Sequence, residues 1–336
     1  MDMSKNRVTV LTRRNILRAV LVLAVLVVLV LGIIFAANLY ERYNNGYDGE
    51  IQQNVGGEKI IEYNGQTYVF NKNVETFLLI GLDTFGKAEE NDSYNNDKQA
   101  DLLTLFVLDR EKESCYAIHI NRDTMAEVSI LGVTGQKVGV ANEQIALSHT
   151  YGNGGIDSCR NVANAVSNLM YGMPIDNYLS LTMDGIVALN DLVGGVTLTA
   201  IGDFAGVDGT IIEGEVLTLY GEHALNYVRN RSDGTNETRM ARQRQYMDAL
   251  YAQIMDYIED NDEFSSDIAT TLGEYVVTNC DVSGIDDLFS KMSSYEFGGI
   301  KTIGGESVLG EKYMEFICDE NALKELLIEL CYLPKK

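Results

Sequence analysis

Five arginines lie within sixteen positions of a chain whose 336 residues carry a formal net charge of −23. They are Arg229, Arg231, Arg239, Arg242 and Arg244. A guanidinium group is planar and permanently charged, so it can bind two phosphate oxygens at once. Several guanidinium groups at one site can hold a diphosphate. The alternative is a solvated face whose arginines pair with nearby acids such as Glu237. Charge spacing alone leaves both interpretations open.

The local sequence pattern predicts the helices and the turn that carry these arginines. YGEHALNYVRNR predicts a helix near 221 to 229, SDGTN predicts a turn, and a second helical pattern runs from 237 to 259 with Asn236 as its N-cap. In the second helix Arg239, Arg242 and Gln243 follow i, i+3, i+4 spacing and share one face, whereas Arg244 points elsewhere. Several acids on the same helix argue against a helix that lies on lipid headgroups.

A second candidate site is HINRDT, residues 119 to 124, which directly follows a predicted buried strand. Polar groups at strand ends are where α/β folds place ligand contacts. The alternative is a turn in which Arg122 contacts Asp123. Upstream, Asp83 and Asp101 could bring carboxylates to the same edge, as Mg²⁺ on a phosphorylated substrate requires, although aspartates at strand ends are also common turn formers.

The sequence lacks several other common catalytic and ligand-binding motifs. The segment TYGNGGID, residues 150 to 157, lacks the full phosphate-binding loop pattern, so we predict an ordinary loop. There is no G-x-S-x-G nucleophile elbow, and the three histidines have no metal-ligand spacing. The five cysteines form no C-x-x-C pair, and their odd number argues against a disulfide framework.

The remaining pattern predicts one α/β domain. KIIEYNGQTYVF, residues 59 to 70, predicts a type I′ hairpin at Asn64-Gly65. Continuous apolar runs predict strands that are covered on both faces. Helical and strand patterns then alternate, which indicates helices on a central sheet. The predicted strands are 76 to 83, 101 to 109, 114 to 120, 177 to 182, 196 to 200 and 299 to 303, and the further helices are 156 to 170, 184 to 193, 284 to 293 and 321 to 332.

Residues 19 to 37 are nineteen apolar positions without a charge, which predicts one N-terminal transmembrane helix. Five basic residues and one acid precede it, so we expect residues 1 to 18 in the cytoplasm and the rest outside, as in a single-pass type II protein of the cell membrane. The alternative is a cleaved signal peptide. Residues 38 to 57 are then a stalk, and residues 58 to 336 form the extracellular domain.

The exported part is strongly acidic. Beyond residue 40 the chain has 21 basic and 48 acidic side chains, a net charge of −27. Such a surface repels nucleic acid and bulk anionic lipid, so we expect no nucleic-acid partner and an anion site only where cations cluster locally.

Taken in order, these pieces resemble the LytR-CpsA-Psr family of cell-wall glycopolymer transferases. The matching stretches are FLLIGLD, ADLLTLFVLD, IHINRDT, YGNGGIDSCRNVANAVSNLMYGMPIDNYLSLTMDGIVALNDLVGGV, GEHALNYVRNR and RMARQRQ. The resemblance is strongest from residue 74 to residue 252. It implies an α/β/α sandwich with a central mixed sheet flanked by helices.

The resemblance also implies an activity, namely transfer of a glycopolymer with one phosphate from a polyprenyl-pyrophosphate carrier to peptidoglycan. The lipid would occupy an apolar tunnel, and Mg²⁺ would bridge the phosphates. A carboxylate could accept the proton of the attacking sugar hydroxyl. By position in the family's motifs, the implied catalytic residues are Arg122, Arg229, Arg231 and Asp101, the substrate-binding residues are Arg239, Arg242 and Gln243, and the metal ligands are Asp83 and Asp101.

Two departures from the family's pattern bear on the implied metal site and activity. The family usually reads R-S-D-T where this chain has Gln99, Ala100, Asp101 and Leu102, and it commonly has Asp where Asn236 stands. These departures put metal binding and turnover in question more than lipid-phosphate binding. The alternatives are a polyprenyl-phosphate-binding or regulatory protein with weak or no transferase activity, which could hydrolyse the lipid pyrophosphate, and a surface adhesion domain whose arginines are structural.

Overall fold

The computed structural model describes residues 58–230, 236–261 and 263–335. The predicted transmembrane helix (19 to 37) and stalk (38 to 57) therefore lie outside the described residues. Within those described ranges, no helix is both long enough and apolar enough to cross a membrane.

The strands form one large sheet and several small ones. In chain order they are β1 Ile60–Tyr63, β2 Gln66–Phe70, β3 Val74–Leu82, β4 Ala100–Asp109, β5 Ser114–Ile120, β6 Met125–Leu131, β7 Lys137–Gln144, β8 Asn177–Leu181, β9 Val196–Thr199, β10 Val216–Leu219, β11 Val276–Thr278, β12 Glu296–Thr302, β13 Gly305–Leu309, β14 Met314–Cys318 and β15 Tyr332–Pro334. The six-stranded sheet has the order β11-β8-β3-β4-β5-β12. Its β3–β8 and β5–β12 pairs are parallel and the other pairs are antiparallel, so the predicted central mixed sheet is confirmed.

Helices cover both faces of this sheet. They are α1 Ile156–Leu169, α2 Met183–Leu192, α3 Gly221–Arg229, α4 Asn236–Asp260, α5 Phe264–Leu272, α6 Val282–Ser294 and α7 Glu320–Cys331. Alternate β3 residues face opposite sides, because successive side chains of a strand point in opposite directions. Leu78 and Ile80 join the core formed with α1 and α7, and Phe77 packs with α2 and α5. This two-sided burial explains the continuous apolar runs of the central strands.

The predicted type I′ hairpin is confirmed. Tyr63 pairs with Gln66 across a two-residue loop, and Asn64 (φ 50°) and Gly65 (φ 77°) both have the positive φ that this turn requires. The hairpin lies outside the central sheet, because β2 pairs with the C-terminal strand β15.

Other elements differ from the sequence prediction. The strand predicted at 196 to 200 is β9, but it pairs with β10 in a separate two-stranded sheet instead of extending the central one. The hairpins β6–β7 and β13–β14 and the helix α5 were not predicted. Their runs are short and only partly buried, so neither the strand nor the helix period is strong in them.

A β-bulge aligns the polar residues at the end of the central sheet. The pairing of β3 with β4 shifts by one residue after Gly81, whose missing side chain leaves room for Leu102: a Cβ there would lie 2.8 Å from the Leu102 Cβ. Beyond the bulge Asp83 meets Gln99, and its backbone N–H donates to the Gln99 carbonyl (3.1 Å). On the other side, the β4–β5 pairing ends with Leu103 opposite Ile120, and Asp101 and Arg122 each lie two residues beyond that pair. Bulges commonly re-aim side chains next to functional sites.

Two buried histidines make the stability of the fold depend on pH. Burial lowers the pKa of His149 to about 4, although its Nδ1 lies 2.8 Å from the Lys98 carbonyl oxygen. Burial, with the nearby positive charges of Arg244 and Arg239, lowers the pKa of His119 to about 3. Each histidine is therefore neutral in the folded chain at a pH where the unfolded chain binds a proton.

Folding stability should consequently fall as the pH drops below about 6.5, the ordinary histidine pKa. We expect the free energy of unfolding to fall by roughly 1 kcal/mol per histidine between pH 6.5 and 5.5, where most carboxylates stay ionised. Urea unfolding followed by circular dichroism at both pH values measures this. His149→Gln should show about half the wild-type change. An unaltered pH dependence in that variant would contradict the assignment.

Candidate active site

A cavity of about 710 Å³ lies between one face of the central sheet and the helices that cover it. Its interior is apolar, and its lining includes side chains from two strands and two helices. These are Leu79 of β3 and Leu181 of β8, Ile186 and Leu189 of α2, and Met247 and Leu250 of α4. An apolar interior of this size suits a hydrocarbon ligand.

One end of the same cavity, which we call the mouth, is lined by charged and amide side chains. The mouth comprises Asp83, Gln99, Asp101, Arg122, Arg229, Asn230, Arg239 and Gln243. It lies where β3 ends, where β4 begins and where the chain leaves β5. The structure thus brings together six sequence-predicted site residues, namely Asp83, Asp101, Arg122, Arg229, Arg239 and Gln243.

Asp101 is the electrostatic centre of the mouth. Its Oδ1 accepts a hydrogen bond from the Arg122 guanidinium, and its Oδ2 lies 3.5 Å from Nη1 of Arg239. The second terminal nitrogen of Arg122 donates to the side-chain oxygen of Gln99. The side chains of Arg122 and Arg239 are only 12% and 4% exposed, so these contacts are screened weakly by water.

Arg229 forms the exposed lip of the mouth. It is the last residue of α3, and its guanidinium lies over the Phe85 ring, 5.2 Å from the ring centre. That contact lets a solvent-exposed arginine hold a defined direction at the cavity rim. Arg231, predicted beside it, lies outside the described residues, and so does the side chain of Asn236, the first residue of α4.

The cavity-facing side of α4 differs slightly from the predicted face. Arg239, Gln243, Tyr246, Met247 and Leu250 line the cavity, and their spacing of i, i+4, i+7, i+8 and i+11 describes one stripe of a helix. Tyr246 is held in this stripe by a buried hydrogen bond from its hydroxyl to Oδ1 of Asn190 (2.8 Å). The stripe therefore has a polar end at the mouth and an apolar end in the interior.

Arg242, predicted to bind substrate, lies to one side of this stripe and is not among the cavity-lining residues. It is 1% exposed, its Nε donates to the Tyr227 carbonyl (3.2 Å), and its Nη2 donates to the Asn230 carbonyl. Its guanidinium also lies over the Phe204 ring at 5.4 Å. The i+3 position turns about 60° away from Arg239, toward α3. These contacts hold α3 against α4, and substrate binding by Arg242 stays a prediction.

Several residues of the cavity were not predicted as site residues. Asn226 and Asn230 line it from the end of α3, and Val207 lines it from the loop after β9. Gln99 was noted as a departure from a family pattern but not as part of the site. Asn230 lies between the two predicted arginines of VRNR, which is the one sequence signal that could have singled it out.

Asp83 and Asp101 are the two carboxylates of the mouth that could ligate a metal ion. Oδ1 of Asp83 accepts from the Gln99 backbone N–H (2.7 Å), while Asp101 is shared by two arginines. Within residues 58–230, 236–261 and 263–335, no group of three or more acidic, histidine or cysteine side chains could hold a metal ion. Mg²⁺ is usually bound by one or two carboxylates together with substrate phosphates, so the pair fits Mg²⁺ only in company with a phosphorylated ligand.

The site as a whole suits an amphipathic anion. Guanidinium groups at the mouth can bind phosphate oxygens through two parallel hydrogen bonds each, and the interior can cover an apolar chain. Among the described residues that line the cavity there is no serine, threonine, cysteine, lysine or histidine, the usual members of a pair of nucleophile and general base.

Known proteins resemble this chain in sequence. A family model described as the LytR_cpsA_psr family matches residues 39–330. A relative from Halalkalibacterium halodurans, named polyisoprenyl-teichoic acid–peptidoglycan teichoic acid transferase TagU, is 30% identical over 63% of this chain and 64% of its own length. The chain thus spans just under two thirds of that relative. A Bacillus mycoides protein of the same name is 26% identical over 79% of this chain and 78% of its own.

The fold is also similar to solved structures. One described as "TagT bound to LIIa-WTA" superposes with a TM-score of 0.59 at 19% identity, covering 77% of this chain and 90% of that one. A similarity at this level of identity shows the fold.

Proposed function

The chain belongs to the LytR-CpsA-Psr family, and from this membership we propose that it transfers a glycopolymer with one phosphate from a polyprenyl-diphosphate carrier to peptidoglycan. The donor class and the acceptor follow the activity stated in the names of its relatives, which is transfer of teichoic acid to peptidoglycan. Wall teichoic acid is the glycopolymer those names favour, and capsule polymer is the alternative that the family resemblance leaves open.

One observation carries the proposal: an arginine-lined mouth opens directly into an apolar cavity of about 710 Å³. A polyprenyl diphosphate has the same division, with an anionic head joined to an apolar chain. The head would bind Arg122, Arg229 and Arg239, and the chain would lie along Leu189 and Leu250. A protein that bound only the glycan would not need the apolar interior.

The mouth residues suggest how transfer proceeds. A hydroxyl oxygen of the acceptor attacks the phosphorus that carries the glycopolymer, and the bridging P–O bond to the second phosphate breaks. Polyprenyl monophosphate leaves, and the hydroxyl proton passes to a mouth carboxylate, Asp101 or Asp83. Arg122 and Arg239 would stabilise the negative charge that grows on the transferred and bridging oxygens, because their guanidinium groups are already held in a weakly solvated site.

Mg²⁺ is part of the proposal as a cofactor. Asp83 and Asp101 would hold it together with diphosphate oxygens, and the bound ion would neutralise phosphate charge and so favour departure of the lipid phosphate. The residues of the chain would orient the diphosphate and exclude water from it in either case.

We also propose the cellular arrangement that the sequence predicts. Residues 19 to 37 would anchor the chain in the cell membrane, with the N-terminus in the cytoplasm and the catalytic domain outside. This arrangement would keep the cavity near a carrier lipid that resides in the same bilayer.

The proposal is tested with the full chain purified in detergent. We expect bound polyprenyl phosphate by mass spectrometry, and we expect transfer of radiolabelled phosphate-linked polymer from a lipid-diphosphate donor to isolated peptidoglycan in the presence of Mg²⁺. Bound lipid without transfer would favour a carrier-binding or regulatory protein, and release of free phosphate-linked glycan would favour a hydrolase. A chain that binds neither the carrier nor farnesyl diphosphate would overturn the proposal.

A further inference from the structure

Gln99 lines the mouth at the position where the family's R-S-D-T pattern has arginine. It immediately precedes β4, lines the cavity, and lies two residues before Asp101, and both side chains contact Arg122. The side-chain oxygen of Gln99 accepts from Nη2 of Arg122, while Asp101 accepts from Nη1. The two terminal nitrogens of one guanidinium are thus held by two neighbouring acceptors.

Both backbone groups of Gln99, the N–H and the carbonyl, are hydrogen-bonded to Asp83. Its N–H donates to Oδ1 of Asp83 (2.7 Å), and its carbonyl accepts from the Asp83 N–H (3.1 Å). This pairing exists because the bulge after Gly81 moves Asp83 opposite Gln99. The backbone of Gln99 is therefore fixed independently of Arg122, so the contact with Arg122 has only the side-chain rotations of the glutamine to restrict.

Because the Gln99 amide is neutral, it can hold the Arg122 guanidinium without reducing the positive charge of the mouth, which an acid at position 99 would do. Two carboxylates already lie beside Arg122, because Asp101 accepts from its Nη1 and Oδ1 of Asp123 lies 3.4 Å from its Nε. A third carboxylate at position 99 would cancel more positive charge where an anion has to bind, whereas an amide oxygen orients the guanidinium and leaves its charge in place. Fixing a guanidinium in advance reduces the ordering cost when a ligand binds.

We propose that Gln99 is a positioning residue of the phosphate site: its amide oxygen, together with Asp101, sets the direction of the Arg122 guanidinium toward the bound diphosphate. This inference rests on the proposed function, because it takes the diphosphate as the ligand of the mouth. Gln99 acts through Arg122 and does not itself contact the reacting atoms.

A double-mutant cycle tests the inference, with the dissociation constant of farnesyl diphosphate measured by calorimetry on the full chain in detergent. Gln99→Met keeps the length of the side chain and removes the acceptor. We expect it to weaken binding about tenfold when Arg122 is intact and less than twofold in an Arg122→Met background. Gln66→Met, at an exposed position of the β1–β2 hairpin, is the matched control and should bind as the wild type does.

The outcomes separate the inference from the proposed function. Equal weakening in both backgrounds, or no weakening with Arg122 intact, would overturn the positioning role while leaving the proposed function standing. A wild-type chain that does not bind farnesyl diphosphate would overturn both. If Gln99→Met fails to fold, Gln99→Asn serves instead: it withdraws the amide oxygen by one methylene and should weaken binding about threefold, again only with Arg122 present.

Discussion

Replacing Arg239 with alanine is expected to lower the rate of glycopolymer transfer about a thousandfold. Arg239 lines the mouth, its side chain is 4% exposed, and its Nη1 lies 3.5 Å from the Asp101 carboxylate. A guanidinium held in a weakly solvated site stabilises developing phosphate charge far better than one in open water. Its removal also leaves Asp101 with less positive charge to balance its own, beside a ligand that is an anion.

The initial rate of polymer transfer by the full chain in detergent measures this effect. Arg239→Lys keeps the charge but not the planar fork, so we expect it to recover part of the activity, to about thirtyfold below wild type. Arg244→Ala is the matched control on the same helix, because Arg244 does not line the cavity, and its rate should stay within twofold of the wild type. A loss below tenfold for Arg239→Ala, with circular dichroism unchanged, would contradict the assigned role.

The elements that position this site were largely predictable from sequence, but their register was not. The central strands are buried on both faces, which produces apolar runs that no surface segment shows. The meeting of Asp83 with Gln99 depends on a one-residue bulge, and the bulge depends on the contact between Gly81 and Leu102. That contact involves residues 21 positions apart in the sequence, so no local pattern could reveal it.

The arginines show a second limit of sequence-based prediction, which concerns the contacts that each side chain makes. Helical spacing grouped Arg239, Arg242 and Gln243 on one face, and two of them do line the cavity. Spacing has no means of showing which edge of that face meets α3. Arg242 lies at that edge, where its guanidinium donates to the Tyr227 and Asn230 carbonyls at the end of α3. The same residue type thus lines the cavity at one position and joins two helices three residues later.

This division predicts that replacing Arg242 with methionine costs the fold about 3 kcal/mol. The substitution keeps a long side chain and removes the guanidinium, so the carbonyls of Tyr227 and Asn230 lose a charged donor in a site that is 1% exposed. Buried acceptors that lose their partner cost more than the net value of an ordinary hydrogen bond. We expect the thermal midpoint, followed by circular dichroism, to fall by about 5–10 °C.

Arg244→Met provides the control for this prediction, because Arg244 lies two residues away on the same helix and is only half-buried. Its thermal midpoint should stay within about 2 °C of the wild type. At a temperature where Arg242→Met remains folded, its dissociation constant for farnesyl diphosphate should lie within about threefold of the wild-type value, since Asn230 would move only slightly. A variant of wild-type stability that no longer bound the diphosphate would instead make Arg242 a ligand contact, as the helical spacing first indicated.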